Sequence, residues 1–307
     1  MELYKDLLII NIENDMAGKY FRRVGENIVP IWKKDHYSSR KYKILSWIGM
    51  QYLLYGFTKH DVQNVDKIIL SETVHAAKMV DYIRRYNYKC RIVFWFWNPV
   101  REYMISEIVE LKKRGVKVYS FDEDDCKKYD LLFNNNMVAK FGGCRRNMKP
   151  EFDIFFIGKD KGRYNKISDL ANVLTKLGKS IKFTVVGDKK KKYIEVEHVH
   201  VIKKNLEYEE IVYDIWKSKC IVDIVQDGQS GLTWRPFEAL YYGKKLITNN
   251  KNILKYDFYN PSNIYILDSD KIDEDDLDAF LNRAFEPWSK DIVEKYNIET
   301  WINHFFD

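Results

Sequence analysis

The 307-residue chain is long for one doubly wound domain and sufficient for two of about 150 residues each. Hydrophobic residues at 46% supply two cores, charged residues at 31% supply a soluble surface, and no apolar run approaches the ~18 residues of a membrane-spanning helix. The opening Met1-Glu2-Leu3-Tyr4-Lys5-Asp6 lacks a basic segment followed by an apolar one, so the expected location is the cytoplasm, with peripheral attachment at the inner face of the cell membrane as an option.

The net charge of +6 is unevenly divided. Residues 1–150 hold 27 Lys+Arg against 18 Asp+Glu, whereas the remainder holds 24 against 27. A basic first half suits an anionic partner such as a phospholipid surface, a lipid-linked pyrophosphate or nucleic acid, and equally a merely solvated basic face. Cys90, Cys126, Cys144 and Cys220 form no C-x-x-C pair, which argues against structural zinc and a disulfide framework and for reduced thiols.

Short apolar runs alternate with helical periodicity from the start. Leu7 to Ile12 reads as a strand, and Arg40 to Phe57 carries apolar residues at helical spacing. Lys67 to Leu70 is a second strand, followed by a helix from about Val74 to Tyr86. Cys90 to Trp97 is a β-branched and aromatic strand, stopped at Asn98-Pro99 because the residue before proline avoids helical dihedrals. A helix from Glu102 to Arg114 closes at Gly115, and Val116 to Phe121 is a fourth strand. The pattern begins again at Phe152 to Ile157, with a helix over Ile167 to Leu177, a strand over Ile181 to Val186 and a helix over Glu207 to Ser218. A strand over Cys220 to Val225, a helix over Pro236 to Tyr242 and a strand over Lys245 to Thr248 complete it. Helices are expected from Glu274 onward, aromatic at their end and packing back toward the domain junction. Strands separated by helices imply βαβ units and parallel sheets. The fold class is therefore α/β: two Rossmann-like domains facing a cleft, residues 1–150 and 151–307, with the boundary near Pro150.

In open α/β sheets ligands sit beyond the carboxyl ends of strands. The first such end in the second half is Ile157-Gly158-Lys159-Asp160-Lys161-Gly162-Arg163. Two glycines permit close backbone approach, and Lys161 and Arg163 offer charge to a diphosphate, although the order is not that of a P-loop and an ordinary basic turn reads the same way. A second end, Val201 to Asn205, reads as a loop that frames a nucleobase. The third runs from Asp223 through Gln229-Ser230-Gly231-Leu232-Thr233-Trp234-Arg235-Pro236-Phe237-Glu238 to Thr248. Its turn amides suit phosphate oxygens, Pro236 suits a helix's first turn, and Glu238 in that turn is free to accept from ribose hydroxyls or to complement the helix dipole.

The stretch Ser230-Gly231-Leu232, Arg235-Pro236-Phe237-Glu238-Ala239-Leu240 and Gly243-Lys244-Lys245-Leu246-Ile247-Thr248 resembles the donor half of GT-B-fold glycosyltransferases, particularly bacterial surface-polysaccharide transferases and the related CgeB-like group. The resemblance spans residues 152–250 and rests on architecture alone before them. It implies that Glu238 holds the donor ribose, that Gly231 to Thr233 lie against the diphosphate, and that Arg163, Lys161 and Arg235 neutralise the leaving nucleotide. It implies no cofactor and no metal. Many retaining members carry a second glutamate eight residues before the ribose glutamate, where this chain has Ser230, so a retaining outcome is not implied.

Asp122-Glu123-Asp124 has the Asp-x-Asp form that holds a metal in another glycosyltransferase fold, but Asp268-Ser269-Asp270 and Asp273-Glu274-Asp275 match as well, and Asp122 is placed to cap a helix. An inverting transferase needs a base for the acceptor hydroxyl, for which the strand ends offer Asp122 and Glu72, with His75 suited to capping or core packing. Trp95 and Trp97 share a strand face and suit the core or a sugar ring. Trp32-Lys33-Lys34 and Tyr37 to Lys43 are candidate membrane contacts.

The expected function is transfer of a sugar from a nucleotide-diphosphate donor to a glycan or lipid-linked acceptor in bacterial surface-polysaccharide synthesis. Nucleic acid is disfavoured among the expected partners. Two other classes fit the same scaffold: a non-catalytic nucleotide- or polyanion-binding protein, and a sugar-nucleotide epimerase. A dinucleotide-dependent oxidoreductase is disfavoured because no G-x-G-x-x-G follows the opening strand.

Overall fold

The computed structural model describes residues 6–11, 27–33, 38–138, 148–189, 191–268 and 271–307. Ile12, Lys34, Tyr37, Cys144, Ser269 and Asp270, which enter the expectations above, lie outside the described residues. The chain forms two compact units, one of Met1–Asn134 with Ile302–Asp307 and one of Asn135–Trp301.

In the first unit the strands are β1 (Leu7–Asn11), β2 (Ile28–Pro30), β3 (Lys67–Ser71), β4 (Arg91–Phe96), β5 (Lys117–Ser120) and β6 (Leu132–Phe133). They pair in parallel in the order β2-β1-β3-β4-β5-β6, with Leu8 opposite Ile68, Ile68 opposite Ile92 and Phe94 opposite Val118. The helices between them are α1 (Ser39–Trp47), α2 (Lys59–Val62), α3 (Ala76–Tyr86), α4 (Ile105–Lys113) and α5 (Glu123–Tyr129). α3 turns Ala76, Met79, Val80 and Ile83 inward at helical spacing, onto a core that includes Leu70, Phe94 and Leu111. Its first turn leaves backbone N–H groups without helical partners, and Glu107 of α4 takes two of them, from His75 at 3.1 Å and Ala77 at 2.6 Å. The last residues of the chain return to this unit. The Phe305 ring packs edge-on against Trp95 and Tyr119, and Arg91 donates to the Phe306 carbonyl at 2.7 Å.

The second unit repeats the construction with β7 (Phe152–Lys159), β8 (Ile181–Val186), β9 (Val199–Ile202), β10 (Ser218–Asp223), β11 (Lys245–Thr248) and β12 (Ile264–Ile266). Their parallel order is β12-β11-β10-β7-β8-β9, so the chain proceeds to one side from β7 and then restarts on the other at β10. The helices are α6 (Tyr164–Lys176), α7 (Tyr208–Lys217), α8 (Trp234–Tyr242), α9 (Glu274–Asn282), α10 (Lys290–Lys295) and the start of α11 (Ile298–Phe306), whose residues from Ile302 belong to the first unit. α6 buries Ile167, Leu170, Ala171 and Leu174 against Ile154, Phe156, Phe183 and Val185 of the sheet. The expected strands and helices are found within a few residues of their expected ends, except that the helical stretch expected over Arg40 to Phe57 stops at Trp47, where Gly49 takes a φ of +73° and a separate 3-10 turn, Gln51–Leu54, follows. Of the stretch expected as a loop from Val201 to Asn205, Val201 and Ile202 instead complete β9, pairing with Val185 and Val186, and residues 203–205 form the connection that follows.

Gly56 marks a close approach of backbones in the first unit. Its N–H donates to the Ile31 carbonyl at 3.0 Å, and a Cβ there would lie 2.3 Å from the Pro30 carbonyl oxygen. Gly178, by contrast, has a φ of +71° and open space around it. Gly56→Ala is expected to destabilise the protein by about 2–3 kcal/mol through forced backbone movement, and Gly178→Ala by only about 1 kcal/mol through its dihedral. Chemical denaturation of the two variants checks the ranking, which a larger loss in Gly178→Ala would reverse.

Candidate functional site

The strand order of the second unit reverses between β7 and β10, which separates the connections leaving their carboxyl ends and opens a crevice there. The loop after β7 is shaped by Asp160, whose side chain is fully buried. One oxygen accepts from the Tyr164 N–H at 2.9 Å, and the other from Lys191 at 2.7 Å and the Tyr193 hydroxyl at 2.9 Å. Burial pushes the Asp160 carboxyl up, but these donors outweigh it and hold the group below the ordinary range. Lys161 and Gly162 both adopt positive φ, 45° and 83°, which turns the chain so that the Arg163 N–H meets the Asp160 carbonyl at 2.9 Å.

The Arg163 side chain then runs back beneath the strand ends. Its guanidinium donates to the carbonyls of Lys159 and Asp160 on its own side and of Ile224 across the crevice. Gly158 makes the room, since a Cβ there would stand 3.0 Å from Arg163 Nη2 and 3.1 Å from the Phe156 ring. Burial lowers the Arg163 pKa, and Asp223 and Asp160 oppose that shift.

Asp223 ends β10 on the other wall. It accepts from Thr233 Oγ1 at 2.9 Å and from Thr248 Oγ1 at 3.4 Å. Thr233 also caps α8, accepting from the Arg235 N–H at 3.1 Å. Pro236 is the third residue of α8, where a missing N–H leaves no helical bond unmade. The loop between β10 and α8 is held from β11. Asn250 Nδ2 donates to the carbonyls of Ser230 and Gly231, Asn252 Nδ2 donates to Ser230, and Asn249 Oδ1 accepts from the Val225 N–H. Gln229 Nε2 closes the turn on the Gly231 carbonyl at 3.1 Å. The Leu232 side chain is buried, and its carbonyl accepts from Asn136 at 2.8 Å.

Glu238 differs from its expected state. With α8 opening at Trp234 rather than Pro236, Arg235 and Glu238 stand three residues apart on one buried face and form an ion pair. The other carboxylate oxygen accepts from the Tyr208 hydroxyl at 2.6 Å, and only 1% of the residue is exposed. The carboxylate expected to be free is thus fully engaged. Burial works against the Arg235 charge, yet Glu238 and Tyr208 beside it hold the guanidinium above its ordinary range.

Asp223 is hydrogen-bonded to Thr233 and feels the charge of Arg163 and Arg235, Glu238 pairs with Arg235, and Gly158 leaves room for Arg163, while Gln229, Ser230, Gly231 and Leu232 lie on the loop between β10 and α8. Lys161 is exposed on the turn that precedes Arg163. Asp223 and Tyr208 were not singled out from the sequence. A lone aspartate ending an apolar run was the signal for the first, whereas Tyr208 comes from another helix and had none.

The two candidate bases lie in the first unit. Asp122 is the N-cap of α5, accepting from the N–H groups of Asp124 and Asp125. Glu72 follows β3 and accepts from the Asn98 N–H at 3.3 Å and side-chain amide at 3.1 Å. Burial raises its pKa against the pull of Asn98 and Arg101. His75 stacks on Tyr42 with ring centres 3.7 Å apart, and burial lowers its pKa. Asp273 caps α9, accepting from the Asp276 N–H at 3.0 Å. Among the described residues no group of three or more His, Cys, Asp or Glu side chains is arranged to hold a metal ion.

No protein-family model and no curated protein matches the chain. Solved structures match in fold. An alpha-glucosyltransferase in complex with UDP and a 13-mer DNA containing an HMU base superposes with a TM-score of 0.61 at 9% identity, over 98% of each chain. An alpha-glucosyltransferase in complex with UDP gives 0.58 at 10% identity, again over 98% of each. Sucrose-phosphate synthase from Thermosynechococcus elongatus gives 0.54 at 11% identity and the same coverage. The chain thus has the GT-B fold, two parallel-sheet α/β units of six strands each.

Asp223 supplies a pH signature for the site. Burial pushes its carboxyl up to about 6, against Thr233, Arg163, Arg235 and Thr248. The folded protein therefore holds this proton to higher pH than the unfolded chain does. The corresponding stability is complete below about pH 4 and is lost as pH rises through about 6, a contribution of about 3 kcal/mol. Urea titrations of the wild type and Asp223→Asn between these limits are expected to show the wild type losing ground to the variant as pH rises. A stability difference independent of pH would refute the assignment.

Proposed function

We propose that the chain is a glycosyltransferase that moves a sugar from a nucleoside-diphosphate donor, with UDP as the leading nucleotide. The single observation that supports this most strongly is the placement of two arginines, half-buried Arg163 and buried Arg235, at the β7/β10 reversal, on a fold whose matched structures include alpha-glucosyltransferases holding UDP. A leaving nucleoside diphosphate develops negative charge as the glycosidic bond breaks. Fixed cations and loop amides in a site of low dielectric stabilise that charge without reorganising. In this reading Arg163 and Lys161 face the diphosphate, Arg235 supports them, and the loop Gln229 to Thr233 supplies backbone N–H groups. Glu238 takes the ribose hydroxyls by exchanging the Tyr208 hydroxyl for a substrate hydroxyl, a swap of like donors. Neutralisation by basic side chains makes the transfer independent of a divalent metal.

The acceptor is proposed to be a glycan or lipid-linked oligosaccharide taken by the first unit, in bacterial surface-polysaccharide assembly of the type the sequence resembles. Glu72 suits the base that accepts the acceptor proton, because a carboxylate whose pKa is raised is the better proton acceptor. Asp122 is the alternative, at the cost of an N-cap.

A second reading has its own observation. The first 150 residues are strongly basic, and one matched structure holds DNA, so a polyanion such as nucleic acid is the competing partner. Calorimetric titration with UDP, GDP, CDP and TDP, with a chelator present, separates the two. One nucleotide is expected to bind the wild type, to stabilise it by about 2.7 kcal/mol at a hundredfold excess over Kd, and to bind Arg163→Met at least tenfold more weakly. Transfer from the matching nucleotide sugar should fall at least a hundredfold in Glu238→Gln. No nucleotide binding together with salt-sensitive binding of oligonucleotides would move the assignment to the second reading.

A further inference from the structure

The first unit carries an apolar surface that its own core does not use. In α1 and the turn after it, Trp47 is 88% exposed, Ile44 58%, Ile48 52%, Leu53 41% and Met50 38%. The segment is nevertheless anchored from within, since Tyr42, Leu54 and Tyr55 are buried and Leu45 packs against the same core. Arg40, Lys43, Ile44 and Trp47 follow one another at helical spacing on the outward side, with Lys41 and Ile48 beside them. The basic residues occupy the first half of the helix and the apolar ones its end and the following turn. No aspartate or glutamate occurs between Asp35 and Asp61.

We propose that this face docks on the surface of a bilayer containing anionic phospholipid. Protruding Trp, Ile, Met and Leu side chains enter a fluid phase without requiring a matching pocket, and tryptophan favours the headgroup level. Arg40, Lys41 and Lys43 reach headgroup phosphates while their stems lie along the apolar boundary. A second copy of the chain is a poorer occupant, because an isologous contact would bring these three cations against themselves. The sequence pointed to Trp32-Lys33-Lys34 and Tyr37 to Lys43 for such a contact. The structure turns Trp32 into an aromatic cluster with Tyr42, Tyr55 and His75, and presents Trp47 instead. The proposal uses residues of the first unit alone and does not rest on the transferase reading.

Sedimentation with sucrose-loaded vesicles tests it, using the full chain, phosphatidylcholine alone, and phosphatidylcholine mixed with phosphatidylglycerol. The wild type is expected to pellet with the mixed vesicles, to stay in solution with the neutral ones, and to be released by raised salt. The double variant Trp47→Ser, Ile48→Ser should partition about tenfold more weakly. Arg40→Glu, Lys41→Glu, Lys43→Glu should partition about a hundredfold more weakly. Both variants change exposed residues, so unchanged thermal midpoints would confirm that folding is not the cause. A wild type that ignores the mixed vesicles, or variants that bind as it does, would overturn the proposal. So would a concentration-dependent dimer that Trp47→Ser dissolves while vesicles remain unbound, which would make the face a self-contact.

Discussion

Buried Arg235, Asp223 and Glu238 and half-buried Arg163 lie at the carboxyl edge of the second sheet, and the shape of that edge follows from keeping them satisfied. Charge removed from water is tolerated only when opposite charge and hydrogen bonds replace hydration. Arg163 is satisfied by three carbonyls, one of them from the far wall of the crevice. Arg235 and Glu238 pair within one helix, and Tyr208 completes the carboxylate from another. Asp223 feels the charge of both arginines and accepts from Thr233, the N-cap of α8. Removing one member leaves another charge buried without its partner, so the loops after β7 and β10 hold their course together.

The same edge shows how glycine and left-handed backbone serve a charged site. Gly158 yields the space that the Arg163 guanidinium fills, and the turn at Lys161 and Gly162 reverses the chain tightly enough to aim that side chain back under its own strand. The neighbouring loop is fixed by amide side chains rather than by ions. Asn249, Asn250 and Asn252 follow β11 and bind the loop carbonyls and one amide. An anion meeting such an edge finds positive charge already in place, and little has to be reordered when it binds.

The first unit distributes its charge differently. Its acidic side chains are drawn into helix starts, Asp122 at α5 and Glu107 at α3, where they meet unpaired N–H groups. Its cations stay outside, and around α1 they border an apolar face with no acidic neighbour in the intervening sequence. Around α1 the positive charge of the first unit thus lies at the surface, whereas Arg235 and Glu238 of the second unit's site are buried.

By itself the sequence determined the α/β class, the strands other than the short edge or outer strands β2, β6, β9 and β12, and most helix ends, because period-two and period-3.6 apolar patterns and glycine or proline stops are local physics. It also marked Arg163, Thr233, Arg235 and Glu238, since strand ends followed by glycine and charge are visible along the chain. Only the tertiary structure decided which of those groups meet. The start of α8 at Trp234 put Arg235 and Glu238 in register, Tyr208 arrived from a helix that shares no pattern with them, and Asp223 became a buried carboxylate that feels the charge of both arginines. The exposure of Trp47 was decided in the same way. A tryptophan after an apolar run reads as core, and whether it is buried depends on which neighbours the packed fold brings over it, a relation between distant segments that no local pattern carries.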